Sequence, residues 1–125
     1  MTTRPERATI VGKYIVLYQA PLSVAERFAQ ATPAEAMAGM QLWVDWARKL
    51  GPALVHPGRP LGNAVRVTQD GIAKAESTTI GMSIIEAPDM DAALAMVSDH
   101  HHLRWAPECE ILVLEEMPIP EQQAR

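Results

Sequence analysis

Residues 81–103, GMSIIEAPDMDAALAMVSDHHHL, read in immediate succession as a strand, a capped helix and a histidine cluster. Met82, Ser83, Ile84 and Ile85 form a short apolar, partly β-branched run bounded by Gly81 and Pro88, the pattern of a buried strand. Asp89 follows as a helix N-cap. Its carboxylate can accept from the orphan amides of the next turn, and Asp91 adds negative charge at the positive helix end. Met90, Ala93, Leu94 and Val97 then make one apolar stripe at helical spacing. The helix is expected to run out at His100, His101 and His102.

The flanking sequence supplies partners for that unit. Tyr14 to Tyr18 are consecutive β-formers without polar alternation, so Lys13 to Gln19 is expected to be a strand covered on both faces. After Pro21, Ser23 and Glu26 have the spacing of a capping box, predicting a short helix over Val24 to Gln30. Thr32-Pro33-Ala34-Glu35 is a stronger start signal, because Thr caps, Pro suits the first helical position and Glu reaches back to the cap amide. The helix it opens carries Ala36, Met40, Trp43, Ala47 and Leu50 as an apolar seam, with Met37 and Trp46 off it, and Gly51-Pro52 ends it. From Ala53 the chain changes to short extended pieces punctuated by Pro57-Gly58, Pro60 and Gly62-Asn63. Val65 and Val67 alternate with Arg66 and Thr68 as in a half-exposed strand, and Asp70-Gly71 predicts a hairpin turn back into Ile72 to Glu76. Ile111 to Leu114, within Cys109 to Glu116, form another strand apolar on both sides.

Strand, helix, strands with a hairpin, strand, helix, strand is the order of a ferredoxin-like split βαβ fold, an α+β antiparallel sheet with two helices on one face. The opposite face would be bare, yet the first and last strands are apolar on both sides. A second copy of the same sheet is its simplest cover, which predicts a homodimer closing into a dimeric α+β barrel. The expected organisation is an N-terminal arm over 1–12, a single domain over 13–117 and a C-terminal tail over 118–125.

A chain of 125 residues with 48% hydrophobic content suits one such domain. Its formal net charge of −4, with 11 Lys and Arg scattered among 15 acids, excludes a basic surface for nucleic acid. No apolar run approaches the roughly 20 residues that cross a bilayer, so no membrane partner is expected. The lone Cys109 allows no internal disulfide and the N-terminus has no signal-peptide run, from which a cytoplasmic location is expected.

KYIVLY near the start, WVDWARKLG on the long helix, ALVHPGRPLG, the VTQDG turn, GMSIIEAPDMDAAL and the final HHHL together resemble the YCII-related family. The resemblance covers most of Lys13 to Glu115 and implies the same dimeric barrel. Gly58, Pro60, Leu61 and Gly62 match a Gly/Pro/Leu segment of the family, and His100, His102 and Leu103 match a His-Pro-His-Leu segment with His101 in place of proline. Where many relatives carry Asp-Gly-Pro-Phe, this chain has Asp70-Gly71-Ile72-Ala73. The histidine and aspartate proposed as the working pair of one branch have no counterparts here, since Gln41 to Lys49 hold no histidine and His100-His101-His102 aligns with the Asp-Pro-Tyr segment. Some members of the family act in aromatic ring degradation, including removal of chloride from a hydroxylated ring.

Chemically, the histidine cluster stands out. Imidazole gives and takes protons near neutral pH, although histidines at a helix end also serve simply to cap carbonyls. Alternate side chains leaving a helix point apart, so His100 and His102 are expected to share a side while His101 faces solvent. Two functions follow from different classes. One is an acid–base enzyme of lyase or isomerase type acting on a small cyclic or aromatic metabolite, with His102 and His100 as catalytic groups and Trp43, Trp46, His56 and Met82 as the pocket wall. The other is a small-molecule binding or regulatory module in which the same histidines only hydrogen-bond. No cofactor is implied, and no metal, because His56, His100 and His102 lack a helix-spaced pair, a second cysteine or a placed carboxylate to complete a ligand set. Cys109, between Glu108 and Glu110, reads as a core or edge cysteine with a blunted thiolate. The pocket is expected to hold no lysine and no arginine, with Arg59, Arg66 and Arg104 outside it, so rings or monoanions should bind in preference to phosphate esters.

Overall fold

The computed structural model describes residues 11–119, so most of the expected N-terminal arm and residues 120–125 of the tail lie outside the described residues. Two side-chain caps set the helix starts. Thr32 Oγ1 accepts from the Glu35 amide at 3.1 Å while Glu35 Oε1 accepts from the Thr32 amide at 2.8 Å, and the helix α2 follows over Pro33–Leu50. It ends at Gly51, whose φ of 59° suits glycine and whose amide still bonds the Ala47 carbonyl. Asp89 Oδ1 likewise accepts from the Ala92 amide at 2.8 Å to start α3, Met90–Val97.

The preceding short helix, α1, spans Leu22–Ala29. It begins earlier than the Ser23 capping spacing implied: the Pro21 carbonyl already accepts from the Val24 and Ala25 amides at 3.0 Å, which leaves Ser23 inside the first turn. The proline that ends the first strand thus also opens the helix.

Four strands, β1 (Gly12–Gln19), β2 (Leu54–Pro60), β5 (Thr79–Ala87) and β6 (Glu110–Glu115), form one antiparallel sheet in the order β2-β5-β1-β6. Val16 pairs with Ser83 on one side and Val113 on the other, and Tyr14 pairs with Ile85, so these side chains share a face. That face carries the core. Tyr14, Val16, Tyr18, Ile85 and Ala87 pack with Trp46 from α2 and with Ala93 and Val97 from α3, which places both helices on the same side. A smaller cluster of Ala20, Val24, Ala106 and Cys109 holds α1 over the sheet's end.

The sheet face away from the helices is bare within the single chain, as two helices on one side imply: Leu112 and Leu114 of β6 remain 48% exposed, while Ile111 and Val113 are half-buried. Several expectations are corrected. The first half of the seam on α2 is unused, with Ala36 and Met40 exposed; the buried position is Trp46, because the helix meets the sheet only through its C-terminal half. The hairpin does form, β3 (Val65–Thr68) with β4 (Gly71–Lys74), but as a separate two-stranded ribbon in which every residue is exposed rather than half of them. The extended pieces at 54–60 join into one strand, whose register slips between His56 and Arg59.

Gly58 explains that slip. Its φ is 108°, and a Cβ there would collide with the Met82 carbonyl oxygen and sit 2.7 Å from Ser83 Oγ. The bulge brings β2 backbone against β5 at a distance only glycine allows. Gly58→Ala should therefore cost several kcal/mol through combined strain and overlap, against about 1 kcal/mol for Thr32→Ala, which removes only a cap. Urea midpoints for the two variants check the ranking; a mild Gly58→Ala would contradict this packing.

Candidate functional site

Beyond α3 the chain makes a tight connector. The His100 amide bonds the Val97 carbonyl at 3.0 Å, and His101–Arg104 form a 3-10 turn capped by His100, whose Nδ1 accepts from the His102 amide at 3.0 Å. His102 then reaches the end of β1, with Nε2 2.9 Å from the Gln19 carbonyl oxygen. A carbonyl only accepts, so His102 carries its proton on Nε2. Gln19 is itself held: its amide nitrogen donates to Thr79 Oγ1 at 2.7 Å, and its amide oxygen accepts from Thr78 Oγ1 at 2.6 Å.

This anchorage places His100 in an aromatic cluster. It is 1% exposed, with ring centroids 4.5 Å from Trp46, 4.8 Å from Trp43, 5.0 Å from Tyr18 and 4.2 Å from the stacked ring of His101. Trp46 is fixed by Nε1 donating to the Met96 carbonyl at 3.1 Å. Tyr18 donates to Ser83 Oγ at 2.9 Å, because the Ser83 hydroxyl gives its one proton to the Pro57 carbonyl. Burial pushes the Tyr18 phenol up to about 12, despite the opposing Ser83 hydrogen bond, so it stays protonated. Burial, reinforced by repulsion from His101 and His102, takes His100 down to about 3. Burial also lowers His101, with His102 and Arg104 adding to it. Both rings are neutral at physiological pH. Among the described residues, Nε2 of His100 and Nε2 of His101 are buried without a hydrogen-bond partner.

Both histidines line an open cleft of about 200 Å³ between α2 and the connector, together with Leu42, Asp45, Trp46, Lys49, Asp99 and Arg104. Lys49 Nζ bonds Asp99 Oδ2 at 3.0 Å across its mouth, and Arg104 Nη1 donates to the Asp99 backbone carbonyl at 3.0 Å. The ammonium of Lys49 holds the Asp99 carboxyl below its usual range. An indole wall, two neutral imidazoles and cations at the rim can stack on a flat molecule and hydrogen-bond its polar groups.

The expected pocket is thus only partly assembled. Trp43, Trp46 and His100 come together, and His102 lies on the same side but is committed to the β1 backbone. Met82 and His56 do not join them. Met82 pairs with Leu17 and His56 with Ile84, which alternation puts on the opposite sheet face from Ser83 and Ile85. His101 does not face solvent: the 3-10 turn folds it half-buried onto Trp43, at 4.7 Å, and onto His100. Lys49 and Arg104 correct the expectation of a pocket without cations, since the same turn brings Arg104 back beside Asp99. The Trp46, Lys49 spacing on one helix face was the available signal for Lys49; nothing local marked Arg104. Cys109 is buried just before β6, and burial more than Glu108 raises its thiol. Among the described residues no three His, Cys, Asp or Glu side chains converge as a metal-binding group.

Compared with known proteins, the chain matches no family model, and no curated protein matches it significantly. No helix among the described residues is long and apolar enough to cross a membrane.

Stability should depend on His100 in acid. Its folded value lies below the ordinary 6.5, so the folded state binds fewer protons than the unfolded one; the contribution is complete above about 6.5 and is lost as pH falls toward about 3. His100→Asn, whose side-chain oxygen can still accept from the His102 amide, should flatten the decline of urea-derived stability between pH 6.5 and 4 relative to wild type. Parallel curves would show that His100 titrates normally.

Proposed function

We propose that this chain is a YCII-related, ferredoxin-like module that binds a small cyclic or aromatic metabolite, working in the cytoplasm as a homodimer closed into an α+β barrel. The observation that carries the ligand-binding reading is the pair of unpartnered imidazole nitrogens in the wall of an indole-lined cleft. Polar atoms buried without partners are rare in native folds and mark places where something else completes the hydrogen bonding. The strand order β2-β5-β1-β6 with α2 and α3 on one face supports the ferredoxin-like arrangement.

Binding is favoured over catalysis because His102 holds a backbone carbonyl and His100 is neutral and enclosed. An acid–base reaction of lyase or isomerase type is the second reading, supported by His100 lying in the cleft wall beside two cations; it would show as turnover of a bound ring compound that His100→Asn abolishes without abolishing binding. For the binding reading, a thermal-shift panel of cyclic and acyclic metabolites should give ring compounds that raise Tm. His101→Ala should weaken those hits with little loss of stability, whereas His102→Ala should cost about 1–3 kcal/mol by stranding the Gln19 carbonyl. A panel without ring hits would refute the reading.

The dimer rests on the uncovered sheet face. Ile15, Leu17, Met82, Ile84, Leu112 and Leu114 lie on it by register, a contiguous apolar surface across three strands. Sedimentation should show a dimer at micromolar concentration, and Leu112→Lys with Leu114→Lys should give a folded monomer. A monomeric wild type would overturn the barrel.

A further inference from the structure

We propose that the cleft receives its ligand through an oxygen acceptor, a carboxylate or phenolate carried on a ring, which takes a hydrogen bond from His100 Nε2–H and faces the Arg104 guanidinium. This deepens, and rests on, the reading of the cleft as a small-molecule site.

The direction of the hydrogen bond follows from the backbone. His100 Nδ1 lies 3.0 Å from the His102 amide nitrogen, which is a donor, so Nδ1 must present its lone pair. The ring is 1% exposed among Tyr18, Trp43, Trp46 and His101, surroundings that keep it neutral. A neutral imidazole carries one proton, and with Nδ1 bare that proton is on Nε2. His100 therefore buries an N–H donor that no acceptor meets among the described residues. A ligand offering another donor, such as an amine, would leave it unmet.

The charges agree. Of the two carboxylates at the cleft, Asp99 is paired with Lys49 at 3.0 Å, and Asp45 lies 4.0 Å from Arg48 and accepts from Gln41 Nε2 at 2.8 Å. Arg104 gives Nη1 to the neutral Asp99 carbonyl oxygen and, although its charge also helps to lower the Asp99 carboxyl, has no carboxylate within ion-pair distance among the described residues, so it is the cation left to balance an incoming anion. His101 stacks on His100 at 4.2 Å, is half-buried, and its own Nε2 is likewise buried without a partner among the described residues.

The test uses the full chain and two matched ring probes, benzoate and benzylamine, by calorimetry, with ring-nitrogen NMR of uniformly labelled histidine. Benzoate should bind at least about tenfold more tightly than benzylamine, a difference of the size one charge-assisted hydrogen bond supplies. Arg104→Gln should remove most of that preference, and the His100 Nε2–H resonance should move on saturation with benzoate. Equal or tighter binding of benzylamine overturns the proposal while leaving the small-molecule reading intact. So does a proton found on Nδ1, or a Nε2–H resonance indifferent to bound benzoate, which would mean that the donor is satisfied by the face of Trp46. Failure of both probes, together with a ring-free panel, removes the site reading as well.

Discussion

The 2.9 Å hydrogen bond from His102 Nε2–H to the Gln19 carbonyl ties the connector after α3 to the end of β1, and the arrangement of the cleft depends on it. The backbone hydrogen bonds of the 3-10 turn are local, between residues two or three apart, and the exposed Lys49–Asp99 pair joins only the start of the connector to α2. The acceptor is rigid because Gln19 is fastened through both ends of its side-chain amide to Thr78 and Thr79, where the chain enters β5, the strand next to β1. A buried hydrogen bond of this kind contributes only about 1 kcal/mol net, but leaving its carbonyl unmet would cost more. Its chief effect is positional: with His102 fixed, its amide fixes His100 Nδ1, and His100 is held in the ring cluster.

That cluster decides the chemistry of the site. Tyr18, Trp43, Trp46, His100 and His101 meet mostly edge to face, the arrangement that the charge distribution of aromatic rings favours. Packing them this closely excludes water, and a charged imidazole would have to shed its hydration to stay. The neutral form wins, and a residue type associated with proton transfer near pH 7 becomes a fixed hydrogen-bonding group. The cations stay outside this cluster, at the rim, where Lys49 and Arg104 both reach the same residue, Asp99, one by its carboxylate and the other by its carbonyl.

Among the described residues, three apolar surfaces are left uncovered by the single chain. One is the sheet face away from the helices; the second is the ribbon bearing Val65, Val67 and Ile72 at 56%, 71% and 74% exposure; the third is the first half of α2, with Met37 and Met40. An isolated two-stranded ribbon draws little stability from its own contacts. The sheet face is the one that spans several strands of the main sheet, and so has the shape of half a core.

Local signals were enough for much of this protein. The caps at Thr32 and Asp89, the stop at Gly51, the Asp70-Gly71 turn and the apolar runs of β1, β5 and β6 are signalled by residue types and spacings within a few positions, and the amino-acid sequence by itself determined them; β2 showed only as short extended pieces, because its continuity depends on pairing with β5. The α+β alternation followed from the same signals. What needed the tertiary structure was everything that depends on which distant residues meet. Met82 and His56 left the pocket because strand register decides sheet faces, and the Gly58 bulge that shifts the register is set by contact with Met82 and Ser83, 24 and 25 residues away. Trp46 rather than Met40 became the buried anchor because the sheet ends partway along α2. The roles of the three histidines, one tethering, one enclosed and one stacked over it, were undecidable from HHH, since each is set by what the fold presents to it: a carbonyl on β1, a cage of indoles, or the ring of the residue before.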